Sequence, residues 1–407
     1  MNKYTLVGFC KITINRSTAL LIRCAVFLYA LASKSTTETM MRKSGKTRII
    51  FSRHDFSKRQ LIILVLISAI GAFSTWIFYE VLFTKPSDDW FESIARNSSL
   101  VTLPKDDTPH YAEMEWWYYN GYLNTDSGKQ YSFHYTVFLL NNVAHHMVSH
   151  ASINDYQTGK YLTAQRRTAG NPSKSKENGF EFIQGNWLMT GGNGVDQLKF
   201  NIENISLELN VVSTQPPIIH GGNGVILLKD AGDSYYYSRS RMKISGVLKI
   251  GNTVEKVTGI SWFDHQWGDF SVGQLTWDWF SLQLSDSIDL MIYQLRDKKT
   301  SEKILYMGTF NQNGNVETLS AEDFNVIPKK EWTSKKTNIV YPTEWNIEIP
   351  SKNIRITIKS RNESNEFDAK LTTYNIYWEG AVSVQGTHTG FGFMELYYMN
   401  EKNSVFR

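Results

Sequence analysis

Short runs of alternating apolar and polar residues recur through most of the chain. They include 131–139, 198–212, 243–250 and 353–359, and stretches rich in glycine and asparagine, such as 191–194, separate them. Alternation with a period of two predicts strands that contact water on one side only. No long stretch of the sequence has the period of an amphipathic helix. The pattern therefore predicts an all-β protein made of barrels or sandwiches.

A short internal similarity indicates how these strands are divided. The stretch 120–123 (NGYL) is followed by a turn and a new strand, and it resembles 245–248 (SGVL). On this basis we predict two similar β domains, one over 110–232 and the other over 233–407.

A continuous apolar segment precedes the β-rich part. Residues 61–79 are nineteen uncharged, mostly apolar residues, and Lys58 and Arg59 lie directly before them. A helix of this length nearly matches the ~30 Å hydrocarbon core of a bilayer. We predict a transmembrane helix over 61–83, preceded by a basic leader over 1–60. The alternative is a signal peptide that is cleaved.

The basic leader sets the expected orientation. The positive-inside rule places it in the cytoplasm and the β domains outside, in the periplasm of a Gram-negative cell. Residues 84–109 are polar and contain three prolines, so they are predicted to be a linker. Met40 or Met41 is an alternative start of the chain.

The distribution of charge and cysteine excludes several kinds of protein. Residues 1–60 hold twelve Lys and Arg against two acids, whereas the remaining residues carry 31 basic and 37 acidic side chains. A mildly acidic domain without a basic stripe is a poor binder of nucleic acid. Both cysteines, Cys10 and Cys24, lie in the leader. The β domains therefore contain no disulfide, thiolate nucleophile or cysteine metal site.

The richest concentration of aromatic and ionisable residues lies at 262–280. This stretch contains four tryptophans, and Asp264, His265, Asp269 and Asp278 stand among them. Carboxylates and a histidine in an environment of low dielectric have shifted pKa values that suit acid–base chemistry. The stretch therefore predicts an apolar pocket with a polar function. The alternative is a pair of tryptophan-rich strands with their charges in water.

Strand parity separates the candidate residues by face. Glu115 and Trp117 share one face of a strand, and so do His265 and Trp267, while Asp264 points to the opposite side. Arg239 lies beside the tyrosines of 235–237. It either binds a carboxylate group of a ligand or forms an internal ion pair. Residues of the tryptophan-rich stretch are further candidates. The additional candidate ligand-binding residues are Arg239, Trp277, Asp278 and Trp279.

We expect neither a metal nor a cofactor. His146 and His150 share a strand face but are roughly 13 Å apart at ~3.3 Å per residue, which is too far to bind one ion. The sequence has no Gly-x-Ser-x-Gly elbow, no Gly-x-Gly-x-x-Gly loop after a strand and no His-Glu-x-x-His motif.

Several blocks together resemble the AttH and carotenoid 1,2-hydratase family of lipocalin-like proteins, and they follow one another in the family's order. The blocks are 115–118, 149–155, 236–238, 262–268, 277–280, 342–345, 377–382 and 390–396. The resemblance implies two packed lipocalin-like antiparallel β-barrels with an apolar ligand pocket. Family membership indicates the fold better than the function.

The resemblance also implies candidate catalytic residues. Carotenoid hydratases are thought to use a His-x-Trp pair and a Tyr-x-Asp pair for acid–base chemistry. His265 and Trp267 match the first pair, and Tyr293 matches the tyrosine, but Leu295 stands in place of the aspartate. We predict His265, Trp267, Tyr293 and Asp264 as catalytic candidates. The missing acid argues against carotenoid hydration unless another carboxyl group replaces it.

Three functions follow from these observations. The first is a membrane-anchored extracytoplasmic protein that binds a hydrophobic ligand, a lipid or an isoprenoid. The second is a hydratase or hydrolase that uses His265 as a general base, with Asp278 or Glu115 as the acid. The third is an accessory protein of an ABC-type transporter.

Overall fold

The computed structural model describes two parts of the chain. It describes the strands 36–43 and 46–53 together with Gly71, and it describes 101–399 apart from 142–143, 171–175, 229–230 and 271. The chain divides into two compact units, Met1–Val81 and Leu82–Arg407. In the first unit, β1 (Thr36–Lys43) and β2 (Lys46–Arg53) form an antiparallel hairpin.

The segment predicted to cross a membrane, 61–83, lies outside the described residues except for Gly71. Among the residues that are described, none belongs to a helix that is both long and apolar enough to span a bilayer. Anchoring through 61–83 therefore stays a prediction.

The described part of the second unit contains a short 3-10 helix, Lys105–Asp107, followed by a twelve-stranded antiparallel sheet. The strands of this sheet are β3 (Met114–Thr125), β4 (Gln130–Leu140), β5 (His146–Asp155), β6 (Lys160–Ala169), β7 (Phe180–Gln184), β8 (Trp187–Gly191), β9 (Val195–Ile202), β10 (Ile205–Ser213), β11 (Ile218–Ile219), β12 (Val225–Leu227), β13 (Asp233–Ile250) and β14 (Thr253–Gly268). Their order is β6-β5-β4-β3-β14-β13-β10-β9-β8-β7, and β11 and β12 also pair with β13.

The two ends of this first sheet meet. The Gln184 side chain on β7 donates hydrogen bonds of 2.9 Å to the Met147 carbonyl on β5 and to the Thr168 hydroxyl on β6. The sheet therefore curls into a barrel. Tight turns connect its strands, and Gly128 between β3 and β4 adopts a φ of +82°, a conformation that glycine reaches without steric cost.

A ten-stranded antiparallel sheet forms the rest of the unit, with a second 3-10 helix at Pro350–Lys352. Its strands are β15 (Leu275–Leu284), β16 (Ile288–Asp297), β17 (Lys303–Gln312), β18 (Asn315–Leu319), β19 (Asn325–Thr333), β20 (Val340–Ile349), β21 (Ile354–Ser360), β22 (Glu366–Asp368), β23 (Ile376–Gly386) and β24 (Gly390–Tyr397). Their order is β18-β17-β16-β15-β24-β23-β21-β20-β19, with β22 beside β23.

The predicted all-β class with two barrel-like sheets is confirmed, but the position of the boundary differs. The chain passes from one sheet to the other between Gly268 and Leu275. The predicted division at 232–233 therefore falls inside the first sheet. The two similar stretches, 120–123 and 245–248, both belong to that sheet, so they do not relate one barrel to the other.

The described end of the predicted linker, 101–109, belongs to the folded unit. Asp106 and Asp107 of the 3-10 helix are almost completely buried. The Trp117 indole donates a hydrogen bond of 3.3 Å to the Asp107 carbonyl. This segment therefore packs against β3 of the first barrel.

Both faces of the central strands are buried. Trp117 and Phe263 lie in the core of the first barrel, and Phe280 and Ile292 lie in the core of the second. The outer faces of the two barrels pack against each other, and Tyr118 and Trp279 meet there in a separate cluster.

Polar contacts also connect the two barrels along this interface, which we call the seam. The Tyr122 hydroxyl lies 2.7 Å from the Val382 and Gly392 carbonyls, and Arg241 pairs with Asp289 at 2.7 Å. An outer face that water would cover in a single barrel is therefore removed from water by the second barrel.

Candidate functional site

A cavity of about 440 Å³ lies at the seam between the two barrels. Its lining comes from the outer faces of both sheets, and it is mostly aromatic with a few polar groups. The aromatic residues include Trp116, Tyr118, Phe138, Tyr236, Trp277, Trp279, Tyr293 and Tyr377, and the carboxyl groups are Asp264, Glu379 and Glu395. A pocket of this kind, apolar with converging polar groups, is typical of a small-molecule site.

The strand register places two of the carboxyl groups side by side. Glu379 on β23 lies directly opposite Glu395 on β24, which lies opposite Trp279 on β15. Trp279 in turn lies opposite Tyr293 on β16. Like charges directly opposite each other destabilise a sheet. The pair is therefore compatible with the fold only when at least one carboxyl group carries a proton.

Glu395 is the carboxyl group that is more open to the cavity. Its side chain is half-buried, whereas Glu379 is 1% exposed. The pKa of Glu395 is raised to about 7, because burial and, to a smaller extent, the charge of Asp264 raise it more than a hydrogen bond from Trp277 lowers it. The Trp277 indole donates that bond over 2.9 Å. A large fraction of Glu395 is therefore protonated at neutral pH.

Glu379 is held in its neutral form. Burial and then the charge of Glu395 raise its pKa well above the ordinary value, while a hydrogen bond from the Tyr118 hydroxyl opposes the shift. Its second oxygen lies 3.1 Å from Nδ1 of His134, and burial holds the pKa of His134 well below its ordinary value. Both partners are neutral, so this contact is a hydrogen bond between neutral groups and not an ion pair.

Asp264 faces the same cavity from the first barrel. It accepts hydrogen bonds from the Tyr236 hydroxyl at 2.8 Å, the Trp262 indole at 2.7 Å and the Ser238 hydroxyl. The pKa of Asp264 is raised to about 7, because burial raises it more than the three hydrogen bonds lower it. Three donors favour the ionised carboxylate, so Asp264 is better prepared than Glu395 to act as a base.

Tyr293 faces the same cavity as the two carboxyl groups. Burial raises the pKa of its hydroxyl, and the charges of Glu395 and Asp264 add to that effect. The ring stands on the same strand row as Trp279. The arrangement can supply a proton donor, a proton acceptor and aromatic faces that stabilise a developing positive charge.

The structure divides the candidate residues predicted from sequence into two groups. Asp264, Tyr293, Trp277 and Trp279 line the seam cavity. The others point into the barrels, because alternate residues of a strand lie on opposite faces. The residues within the first barrel are Glu115, Trp117, Arg239, His265 and Trp267, and Asp278 points into the second.

His265 belongs to a buried cluster rather than to the cavity. Its Nε2 lies 2.8 Å from Oε1 of Glu115, and Nδ1 of His110 lies 2.8 Å from the same oxygen. Trp117 stacks on His265 and Trp267 stacks on His110, with ring centroids 4.2 Å and 4.0 Å apart. Burial lowers the pKa of His265 in spite of its bond to Glu115.

The donor atoms of His110, Glu115 and His265 lie within 4.8 Å of one another, so this cluster has the composition of a metal site. In the structure, Glu115 also accepts hydrogen bonds from the backbone N–H groups of His110 and Tyr111. Burial opposes charge here, yet Glu115 and Asp106 raise the pKa of His110. In this arrangement His110 and Glu115 form a buried ion pair. The expectation that the chain binds no metal stays a prediction.

Arg239 and Asp278 have internal partners. Arg239 Nη2 contacts both carboxylate oxygens of Asp107, at 2.9 Å and 3.1 Å. Asp278 pairs with Arg296 and accepts a hydrogen bond from the Tyr398 hydroxyl. For Arg239, the internal pair replaces the ligand contact that was considered from sequence.

Glu379 and Glu395 were not predicted as site residues. They lie in two sequence blocks, 377–382 and 390–396, that were noted only for their family resemblance. A charged residue inside an otherwise apolar strand signals burial with a specific partner. That signal was present at Glu379, but only the strand register shows that its neighbour is Glu395.

A comparison with protein families decides which family this chain is part of. The model of a family described as AttH-like matches residues 94–398, which is most of the chain. The chain belongs to the AttH-like family. The resemblance predicted from the ordered sequence blocks is thereby confirmed.

Two characterised relatives of this AttH-like protein are similar over most of their length. The dehydratase asqC of Emericella nidulans is 27% identical over 307 residues, which cover 70% of this chain and 85% of the relative. The kievitone hydratase of Fusarium solani subsp. phaseoli is 23% identical over 302 residues, which cover 70% of this chain and 82% of the relative.

Solved structures have the same fold as this AttH-like protein. An AttH protein from Nitrosomonas europaea superposes with a TM-score of 0.67 at 24% identity, covering 75% of this chain and 99% of the other. Kievitone hydratase from Nectria haematococca superposes with a TM-score of 0.62 at 18% identity, covering 75% and 95%.

Replacing Asp107 with asparagine should strongly destabilise the protein. The change leaves Arg239, which is 3% exposed, without its closest counter-charge. We expect the free energy of unfolding to fall by about 3–5 kcal/mol in urea titrations. Glu208→Gln is the control, because it removes a surface pair with Lys199 and should cost less than about 1 kcal/mol. Equal losses in the two variants would contradict a structural role for the buried pair.

The contribution of Glu395 to the stability of this AttH-like protein should decrease as the pH rises from 5 to 8. The folded pKa of Glu395, about 7, lies above its ordinary value of 4.5, so the folded state binds more protons in this window and loses them as the pH rises. Glu395 alone accounts for about 3 kcal/mol of this loss.

Urea titrations across this pH range check that expectation. Glu395→Gln lacks this contribution, so its free energy of unfolding should rise relative to that of the wild type as the pH increases, and the variant should be more stable than the wild type at pH 8. Glu208→Gln should keep the wild-type slope. A slope that Glu395→Gln leaves unchanged would show that Glu395 is not the titrating group.

Proposed function

We propose that this protein is a hydratase-type lyase that adds water to, or removes water from, an apolar substrate in the seam cavity. The observation that carries the proposal is the pair Glu395 and Asp264, both with pKa values raised to about 7, among aromatic rings. The names of two relatives, a dehydratase and a hydratase, support the same type of reaction.

Glu395 is the proposed proton donor. It has one hydrogen-bond donor among the described residues, the Trp277 indole, so its ionised form is poorly stabilised. In hydration, the Glu395 proton forms a C–H bond with one carbon of a C=C bond, using the π electron pair. The other carbon is left as a carbocation. A carboxylic acid in a dry site is a suitable donor for this step.

Asp264 is the proposed base. A water oxygen forms a C–O bond with the carbocation, and the Asp264 carboxylate takes the proton that the water releases. Returning that proton to Glu395 restores the site, and the sum of the steps is one added H₂O. The reverse sequence protonates a hydroxyl group, releases water and forms the alkene. Tyr293 lines the same cavity and is the proposed route for the returning proton.

The aromatic walls have a defined role in this reaction. Trp279 and Trp277 both line the cavity, and the faces of such rings attract positive charge. The Trp279 indole is fixed by a hydrogen bond of 3.1 Å to the Tyr236 hydroxyl, which also donates to Asp264. The Tyr236 hydroxyl therefore fixes the Trp279 ring and the Asp264 carboxylate relative to each other.

A direct test uses isoprenoid alkenes as substrates. Purified protein is incubated with farnesoic acid, methyl farnesoate and farnesol in ¹⁸O-labelled water, and products that have gained one labelled water are identified by mass spectrometry. We expect Glu395→Gln and Asp264→Asn to lower kcat by about 100-fold or more while binding is retained. Glu208→Gln is the surface control. Tight binding with no label incorporation for any of these compounds would favour a ligand carrier over an enzyme.

The rate should have a maximum near pH 7. Glu395 must be protonated, so the rate falls as the pH rises above about 7, and Asp264 must be ionised, so the rate falls below about 7. Because the two groups interact, the measured pKa values belong to the pair. The measurement is kcat/KM from pH 5 to 9. A profile that is flat over this range would exclude the two carboxyl groups as donor and acceptor.

A further inference from the structure

The mouth of the seam cavity differs in charge from its interior. The interior contains carboxyl groups with raised pKa values, whereas the side of the mouth formed by β5 and β6 carries His146 and Arg167. Arg167 lies opposite Val148, two residues from His146 on the same face of β5, so the two basic side chains are diagonal neighbours. Both line the cavity.

The charge of Arg167 is not balanced within the described part of the chain. Its Nη1 donates a hydrogen bond of 2.7 Å to the Tyr374 hydroxyl, and its guanidinium carbon lies 5.5 Å from the centroid of that ring. None of the described carboxylate oxygens lies within 4 Å of it. A guanidinium group has five donors in a planar fork that matches a carboxylate. Arg167 therefore retains donors for an anionic ligand.

Tyr374 itself is held at the mouth by the second barrel. It is 75% exposed and has a φ of +62°, which is unusual for a residue with a side chain. Its loop is fixed because the backbone N–H of Tyr374 donates to the Ala369 carbonyl, and because the Thr372 hydroxyl lies 2.8 Å from Nε2 of His150. The position of Arg167 at the cavity mouth is thus supported from both barrels.

The second basic residue, His146, makes no hydrogen bond through its ring to any described residue. Burial lowers its pKa, and the charge of Arg167 lowers it further, so the ring is neutral at pH 7 and offers one N–H. An anionic group beside Arg167 would offset the repulsion that keeps the ring neutral.

We propose that Arg167 and His146 bind an anionic oxygen group of the substrate, a carboxylate or a phenolate. The apolar body of the substrate then extends inward, so that the reacting alkene or alcohol meets Glu395 and Asp264. The placement of the reacting group at Glu395 and Asp264 rests on the proposed function. The binding of the anionic group by Arg167 and His146 does not. It defines the substrate class as amphipathic acids that react at the end remote from the acidic group.

The charge gradient along the cavity supports this orientation. An anion in the interior would meet Glu379 and Glu395, and it would raise their pKa values further and impede the ionisation of Asp264. At the mouth it meets Arg167 instead. Charge-assisted hydrogen bonds to a guanidinium group are among the stronger polar contacts. Arg167 therefore determines which end of the substrate lies at the mouth of the cavity.

Binding of an acid and its neutral ester tests the proposal. Farnesoic acid and methyl farnesoate differ only in the charge of the head group, and calorimetry or quenching of tryptophan fluorescence measures their affinities. We expect the wild type to bind the acid about tenfold more tightly or better. Arg167→Met should abolish this preference and leave the affinity for the ester unchanged, and Arg167→Lys should keep part of it.

A matched control is the neighbouring arginine on the same strand. Arg166 lies on the other face of β6, where it contacts the Gln184 carbonyl and its guanidinium group lies 4.3 Å from the Trp187 ring. Arg166→Met removes the same charge without altering the cavity, so it should keep the preference for the acid. Circular dichroism of each variant confirms that it is folded.

The possible outcomes test the anion-binding subsite and the hydration reaction separately. Equal affinity of the wild type for acid and ester, or a preference that Arg167→Met does not change, would overturn the subsite. Glu395→Gln should bind both compounds with the wild-type preference although it does not turn them over. Preference for the acid without hydration would reject only the reaction, and hydration of the ester as fast as the acid would reject only the subsite.

Discussion

Removal of a polar strand face from water is the constraint on which the rest of this structure depends. A strand in a single barrel has one dry face and one wet face. Here the wet faces of two barrels cover each other, so their polar groups must find partners in one another or become neutral. Tyr122 and Arg241 find partners across the seam, and the carboxyl groups of Glu379 and Glu395 remain protonated to higher pH. The seam cavity and its acid–base properties follow from the same burial.

The two faces of the first barrel have different roles. Its interior is filled by the clusters around Glu115 and around Arg239 and Asp107, in which every charge has a partner of opposite sign. Charges that are paired in this way hold the strands in place. On the outer face, Asp264 has hydrogen-bond donors but no cationic partner among the described residues, so its protonation can change near neutral pH. The rigid interior thus supports an outer face that is suited to chemistry.

Several parts of the candidate site could be predicted from sequence. The strand pattern placed Asp264 and His265 on opposite faces, and the tryptophan-rich stretch contained Trp277 and Trp279, which line the cavity. The parity argument did not say which of the two faces is the functional one. His265 was preferred because, with Trp267, it matches the His-x-Trp pair of the carotenoid hydratases. In the structure it is buried with Glu115 among stacked rings, and the carboxyl group on the other face borders the cavity.

The sequence by itself determined the all-β class, the alternation of faces along each strand and the family. These properties depend on local periodicity and on ordered blocks of residues, which need no knowledge of the partner strand. Only the tertiary structure decided the boundary between the barrels after Gly268, the pairing of Glu379 with Glu395 and the burial of Asp107 in the first barrel. Each of these joins residues that are distant in sequence, and local pattern does not specify register or which face a second barrel covers.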